Sequence, residues 1–311
     1  MKKFLSVTLS LLLAASMPLS ALAETYDLAQ GSITVEAKAD GNQYVSQTGG
    51  VQQEQQTTET VIHQTDSNTT STTNTITIQA EKNQTAQVTI SDVNIDMGNE
   101  HKAAISTGGD GSVTIELDGD NTAKGGYNHA GVEKNNGGNL TITDADGDGA
   151  LNAKGGAFGA GVGGGLKGKG SNITISGSAE VTANGGDFGA GIGGGKEGSG
   201  SDITISDNAE VITAGGENGA GIGGGRNAGG DIIISKDATV AAEAYNDSVA
   251  IGSGGQLYNS EHLNTNITIC DKANVTAVGS GYRPAIGSRG NVSSSVSHPF
   301  TTTINILGGT L

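Results

Sequence analysis

One glycine-rich phrase is written three times in this chain at a fixed spacing. Gly159-Ala160-Gly161-Val162-Gly163-Gly164-Gly165 returns as Gly189-Ala190-Gly191-Ile192-Gly193-Gly194-Gly195, and again as Gly219-Ala220-Gly221-Ile222-Gly223-Gly224-Gly225, each copy 30 residues after the last. A strict period in this range marks a solenoid, in which each repeat buries its apolar face against the next. Two shorter pieces keep the same step: Ile173-Thr174-Ile175-Ser176 recurs at Ile203 to Ser206, and Ala179-Glu180-Val181 recurs at Ala209 to Val211. Three short strands separated by Gly, Asn, Asp and Ser turns, with no helical periodicity, make one turn of a parallel β-helix. The crossover rule makes that coil right-handed. The expected fold is therefore all-β, a right-handed parallel β-helix built from three-strand rungs.

Period-2 alternation assigns the sides of each strand. Ile173 and Ile175 point inward onto Ile203 and Ile205, and Thr174 and Thr204 point out. In the second strand Ala179, Val181 and Ala183 face the core, with Glu180 and Thr182 in water. In the third strand Ala190 and Ile192 are inside and Gly191 is outside, which makes Gly131, Gly161, Gly191 and Gly221 a smooth outer row. Toward the N-terminus the first strand reads Val88-Thr89-Ile90, Val113-Thr114-Ile115 and Leu140-Thr141-Ile142, with Thr89, Thr114 and Thr141 in one column. The glycine clusters fall at corners, where close backbone approach and positive φ are needed.

The ends read differently from the middle. Residues 1–23 carry Lys2 and Lys3, a short apolar run through Leu11-Leu12-Leu13, and Ala21-Leu22-Ala23 before Glu24, the pattern of a secretory signal peptide. The expected localisation is secreted, with cell-surface association as a variant of it. No later apolar run is long enough to span a bilayer. Residues 24–75 are polar and Gln/Thr-rich and are expected to cap the first rung, since an open solenoid end would template edge pairing. The repeats then occupy 76–311. Gly308-Gly309-Thr310-Leu311 starts a strand that completes no rung, so the expectation is a further C-terminal portion or self-association, end to end or face to face.

Charge and composition exclude several functions. The formal charge is −16, and loss of Lys2 and Lys3 with the leader takes it to −18, which argues against nucleic acid or an anionic membrane as partner. Glycine supplies 53 of 311 residues and tryptophan none, too few bulky side chains for a globular core but enough for a narrow Val/Ile/Ala stack. Cys270, the sole cysteine, replaces the Ser of the Ile-Thr-Ile-Ser strand and reads as a small ladder residue.

Two clusters could carry chemistry. Asp144, Asp146 and Asp148 alternate along one glycine-rich turn, with Asp118 and Asp120 on the corner one rung earlier. Carboxylates converging in this way can share one Ca2+ ion; the alternative is a solvated turn using Asp for local hydrogen bonds. The closing Glu of an EF-hand is absent, since Gly155 stands at the twelfth position. The second cluster is a corner column containing His101, Phe158, Phe188, Asn218, Asp247 and Tyr282, with Tyr127 one place off register. Phe158 and Phe188 are expected to stack face to face. Tyr127, Phe158 and Phe188 form either rung-to-rung packing or a platform for a sugar ring. Catalysis finds little support. Arg226, Arg283 and Arg289 lie rungs away from the Asp144 corner, and His101 and His129 have no carboxylate or Cys partner at ligand spacing. The glycine runs repeat too regularly to be phosphate cradles.

Thr75-Ile76-Thr77-Ile78, Val88-Thr89-Ile90-Ser91-Asp92-Val93-Asn94-Ile95 and Val113-Thr114-Ile115-Glu116-Leu117-Asp118-Gly119-Asp120-Asn121 resemble the secreted bacterial β-helix proteins described as carbohydrate-binding-domain-containing, over roughly residues 72–160. The later glycine array resembles cell-surface repeat proteins. The resemblance implies a right-handed β-helix, calcium binding and non-catalytic attachment to acidic polysaccharide. Three functions follow in order: a carbohydrate-binding or adhesive module directed at a polysaccharide or cell-surface glycan, a structural spacer with no ligand, and a polysaccharide lyase.

Overall fold

The computed structural model describes residues 24–49, 55–57, 59–226, 229–246, 248–255, 265–280, 283–288 and 302–308. Residues 1–23, Asp247, Tyr282, Arg289 and residues 309–311 lie outside the described residues. Within them the chain is a parallel β-solenoid whose three faces are ladders of parallel strands. In the centre the register is the 30-residue step itself: Ile173 pairs Ile203, Val181 pairs Val211 and Ile192 pairs Ile222. Among the described residues no helix is long and apolar enough to cross a membrane.

The first two faces obey the alternation rule. Ile173, Ile175, Ile203, Ile205, Ile232, Ile234, Ile267 and Ile269 are fully buried in one stack, and Val181, Val211, Val240 and Val275 form a second. β-branched side chains suit this geometry, because their single preferred rotamer repeats from rung to rung with little further entropy loss.

The third face departs from the expected sides. Its strands shorten from five residues at Ile76–Ala80 to two at Val162–Gly163 and Ile192–Gly193. Gly131, Gly161, Gly191 and Gly221 are buried, so the smooth outer row is not a surface. A Cβ at Gly191 would collide with Thr213 Oγ1, and one at Gly161 would lie 2.8 Å from the Asn184 amide. With only two paired residues the strand tucks against the end of the second face and has no solvent side. A second glycine column is stricter. Gly163, Gly193, Gly223, Gly252 and Gly287 have φ of 137°, 131°, 127°, 134° and 131°. A side chain on Gly193 would also strike the carbonyl oxygen of Gly223 on the next rung.

Two further corrections concern the N-terminal half. Strand Ser112–Lys124 runs unbroken from the first face to the second, and its Ile115 pairs Val88, not Ile90 or a residue matched by motif. Thr89 therefore stands opposite Glu116, and Gln87 opposite Thr114. A slip of two residues keeps every side chain on its own side, so alternation cannot detect it; the turn sets it, with the Ser112 amide donating to Gln84 O. The coil also starts before residue 76. Glu24–Asp27 pairs in parallel with Thr60–His63, and Ile33–Ala37 with Ile76–Ala80. The capping element is the antiparallel pair of Gln43–Gln47 with Gln55–Thr57, which covers the edge of Ile33–Ala37. Buried Gln43 locks it to the coil, exchanging hydrogen bonds of 2.8 Å with both the amide and the carbonyl of Gln87.

Ile205→Asp should cost more than about 4 kcal/mol, since it places an unpaired charge in an apolar stack, while Thr204→Asp should be tolerated. Thermal melts followed by circular dichroism separate the two. Gly193→Ala, a change of one methyl group, should lower the melting temperature as a core substitution does, from backbone strain of about 1–3 kcal/mol plus the clash.

Candidate functional site

The aromatic column is real and continuous across four rungs. The rings of His101 and Tyr127 lie 6.4 Å apart edge to face, those of Tyr127 and Phe158 4.9 Å, and those of Phe158 and Phe188 5.8 Å. Phe158 and Phe188 are tilted by 43° and do not stack face to face as expected. The ring quadrupoles disfavour a flat sandwich, and a cation fills the opening: Lys196 Nζ sits 4.2 Å from the Phe158 centroid and 5.1 Å from that of Phe188. The Arg226 guanidinium lies 5.7 Å from Phe188. Lys196 and Arg226 occupy the same repeat position, directly after Gly195 and Gly225, and that is the sequence signal for them. Tyr127 is half exposed at 50 %, while Phe158 and Phe188 are partly buried.

Beside this column runs a groove of about 770 Å³, reached by Tyr127 and walled by Asp96, Glu100, Lys124, Lys154 and Asp187. Lys124 donates to Asp96 at 2.9 Å. Burial would raise the Asp96 carboxyl, but Lys124 and the Gly98 amide outweigh it and hold the group below the usual carboxylate range.

Behind Tyr127 lies a polar cluster that spacing arguments missed. His129 Nδ1 is 2.8 Å from Glu133 Oε2, so His129 does have a carboxylate partner. The same oxygen accepts from the Ala130 amide at 3.0 Å, and Oε1 accepts from Asn135 Nδ2. In the following rungs the matching amides of Ala160, Ala190 and Ala220 donate to the carbonyls of Gly164, Gly194 and Gly224. Glu133 pairs in register with Gly163 and does the work of a glycine carbonyl where the glycine array begins. A charged residue in a glycine column was the available clue. The adjacent Lys134 is buried, donates to the Asn136 carbonyl, and is pushed by desolvation down to about 8.

At the acidic corner the carboxylates of Glu116, Asp144 and Asp146 have oxygens within 4.8 Å of one another, and Glu116 was not foreseen. It pairs in register with Thr143, next to Asp144 on the following rung, and its Oε1 accepts from the Ala145 amide at 2.7 Å. Asp144 is buried and its carboxylate accepts from the amides of Asp146, Gly147 and Gly149. Burial opposes ionisation there, yet those amides hold Asp144 below the ordinary range. Burial, reinforced by the charges of Asp144, Asp146 and Asp148, raises Glu116, although the Ala145 amide partly offsets it. Asp148 is raised by its hydrogen bond to Asp146 and by that residue's charge, with a smaller contribution from Asp118. The Asp120 amide is tied to Asp92 Oδ1 at 3.0 Å. The corner thus combines a tight Asp turn with three converging carboxylates, and it opens on a groove of about 440 Å³ lined by Glu59, Thr89, Thr114 and Asp118.

Comparison with protein-family models, curated proteins and solved structures finds no match for this chain.

Lys134 gives this site a pH signature. Its pKa is lowered on folding, so between about pH 8 and 10.5 the unfolded state binds more protons and the folded state gains stability as pH rises. Denaturant titrations across that window should show this slope reduced in Lys134→Met relative to the parent chain; equal slopes would mean the amine is solvated.

Proposed function

We propose that the chain is a secreted, non-catalytic carbohydrate-binding solenoid, and that the corner groove beside Tyr127, Phe158 and Phe188 is where the glycan binds. The observation that carries this reading is a half-exposed aromatic ring on the rim of an open polar groove, continued by further rings on successive rungs. An aromatic surface packs on the C–H face of a sugar, while flanking carboxylates and ammonium groups meet its hydroxyls. The resemblance of residues 72–160 to carbohydrate-binding β-helix proteins points the same way.

A spacer without a ligand is the second reading. It is favoured by Lys196, whose ammonium covers the rings of both Phe158 and Phe188. Titration calorimetry of a glycan panel decides between them. On the first reading Tyr127→Ala weakens binding about tenfold, or about 1.4 kcal/mol, without moving the melting temperature. On the second, no glycan gives heat and Phe158→Ala only destabilises.

Calcium belongs to the same proposal as a structural ion held by Glu116, Asp144 and Asp146. An oxygen-rich cluster of three carboxylates suits a hard cation, and an ion bound only by the folded chain stabilises it by mass action. Calcium should raise the melting temperature, and Asp146→Asn should abolish that increment. A melting curve indifferent to both calcium and chelator would leave the corner as a hydrogen-bonded turn.

A further inference from the structure

Resting on the carbohydrate reading above, we infer that the ligand is a neutral, extended polysaccharide segment lying parallel to the solenoid axis, one sugar unit to a rung. The groove takes its lining from five successive rungs: Ser71 and Thr73, then 96–100, 124–127, 154–157 and 185–187. Rungs stack roughly 4.8 Å apart, so the trough runs along the axis for roughly 19 Å. Its floor cannot be interrupted. A Cβ on Gly156 would collide with Gly126 O, and one on Gly186 with Gly156 O. The close stacking that builds the solenoid therefore keeps the trough free of side chains, and its open length accepts an internal chain segment as readily as a chain end.

The charges select against an anion. Lys124 and Asp96 neutralise each other at 2.9 Å, which leaves Lys154 facing Glu100 and Asp187 within a chain of formal charge −16. A uronate chain would bring a carboxylate to each rung of a groove with no surplus of cations. A neutral chain brings hydroxyls, which donate to Asp187 and Glu100 and accept from Lys154. Tyr127 supplies the apolar contact at the third rung.

Calorimetry with neutral cello- and manno-oligosaccharides from mono- to hexasaccharide, against oligogalacturonates of matched length, tests this. Affinity for a neutral series should climb about fivefold per unit up to about five units, one for each rung, and then level off. It should be unchanged at about 1 M salt, where charge interactions are screened. Ala157→Trp, which puts an indole into the fourth rung of the trough, should bring the plateau down to about three units without altering the melting temperature. Neutral sugars that bind equally well at every length, or oligogalacturonates that bind more tightly and lose affinity in salt, would overturn the inference and leave carbohydrate binding standing. If no saccharide of either series binds, the carbohydrate reading falls and this inference with it.

Discussion

Main-chain contact between successive rungs is the constraint on which the rest of this structure depends. Along the third face the amides of Val162, Gly164, Ile192 and Gly194 donate to carbonyls of the next rung at 2.9 to 3.0 Å. Those bonds require the backbones to meet where a Cβ would stand. The columns at Gly163 and Gly156 follow from that approach, and so does the small, narrow core. Stability in such an array is a sum of rung and interface contributions, and each rung depends on its neighbours. Where the glycine array starts, the same amide position still needs an acceptor. Glu133 supplies one with its carboxylate, and His129 and Asn135 satisfy the charge that this buries.

The groove is a consequence of the same stacking. Side chains are excluded at the glycine corners, so each rung leaves a gap between the Lys124 and Lys154 column on the second face and the aromatic column beyond it. These gaps, in register, make a trough. Rim side chains add only peripheral links between rungs, such as the Lys124–Asp96 ion pair and the Tyr127–Phe158 ring contact, while the main-chain ladders and the buried stacks carry the fold.

Much of this was legible in the sequence. The isoleucine stacks of the first face and the valines of the second could be placed inside or outside one by one, because most outward neighbours are polar, such as Thr174, Thr204, Glu180 and Glu210; Ile212 and Ile233 break that pattern and stand exposed. The glycine columns could not, since a residue without a side chain has no polarity to alternate. Gly191 was read as outward and is buried. The two-residue offset of Thr89 against Glu116 escaped for a related reason, because period-2 patterning is blind to even slips. Tyr127, Phe158 and Phe188 were found by column, while their tilt and the place of Lys196 between them depend on side-chain geometry that spacing does not encode. His129 and Glu133 were visible only as exceptions to the repeat.

Excision of residues 171–200, one complete period, tests most directly the claim that equivalent rungs are held by nearest-neighbour contacts. Gly170 and Ser171 stand in register with Gly200 and Ser201, so the cut joins Gly170 to Ser201 without disturbing the path of either neighbour. The account predicts a soluble chain with an unchanged β-type circular dichroism spectrum per residue and a cooperative melt at a modestly lower temperature. A disordered or aggregated product would contradict it.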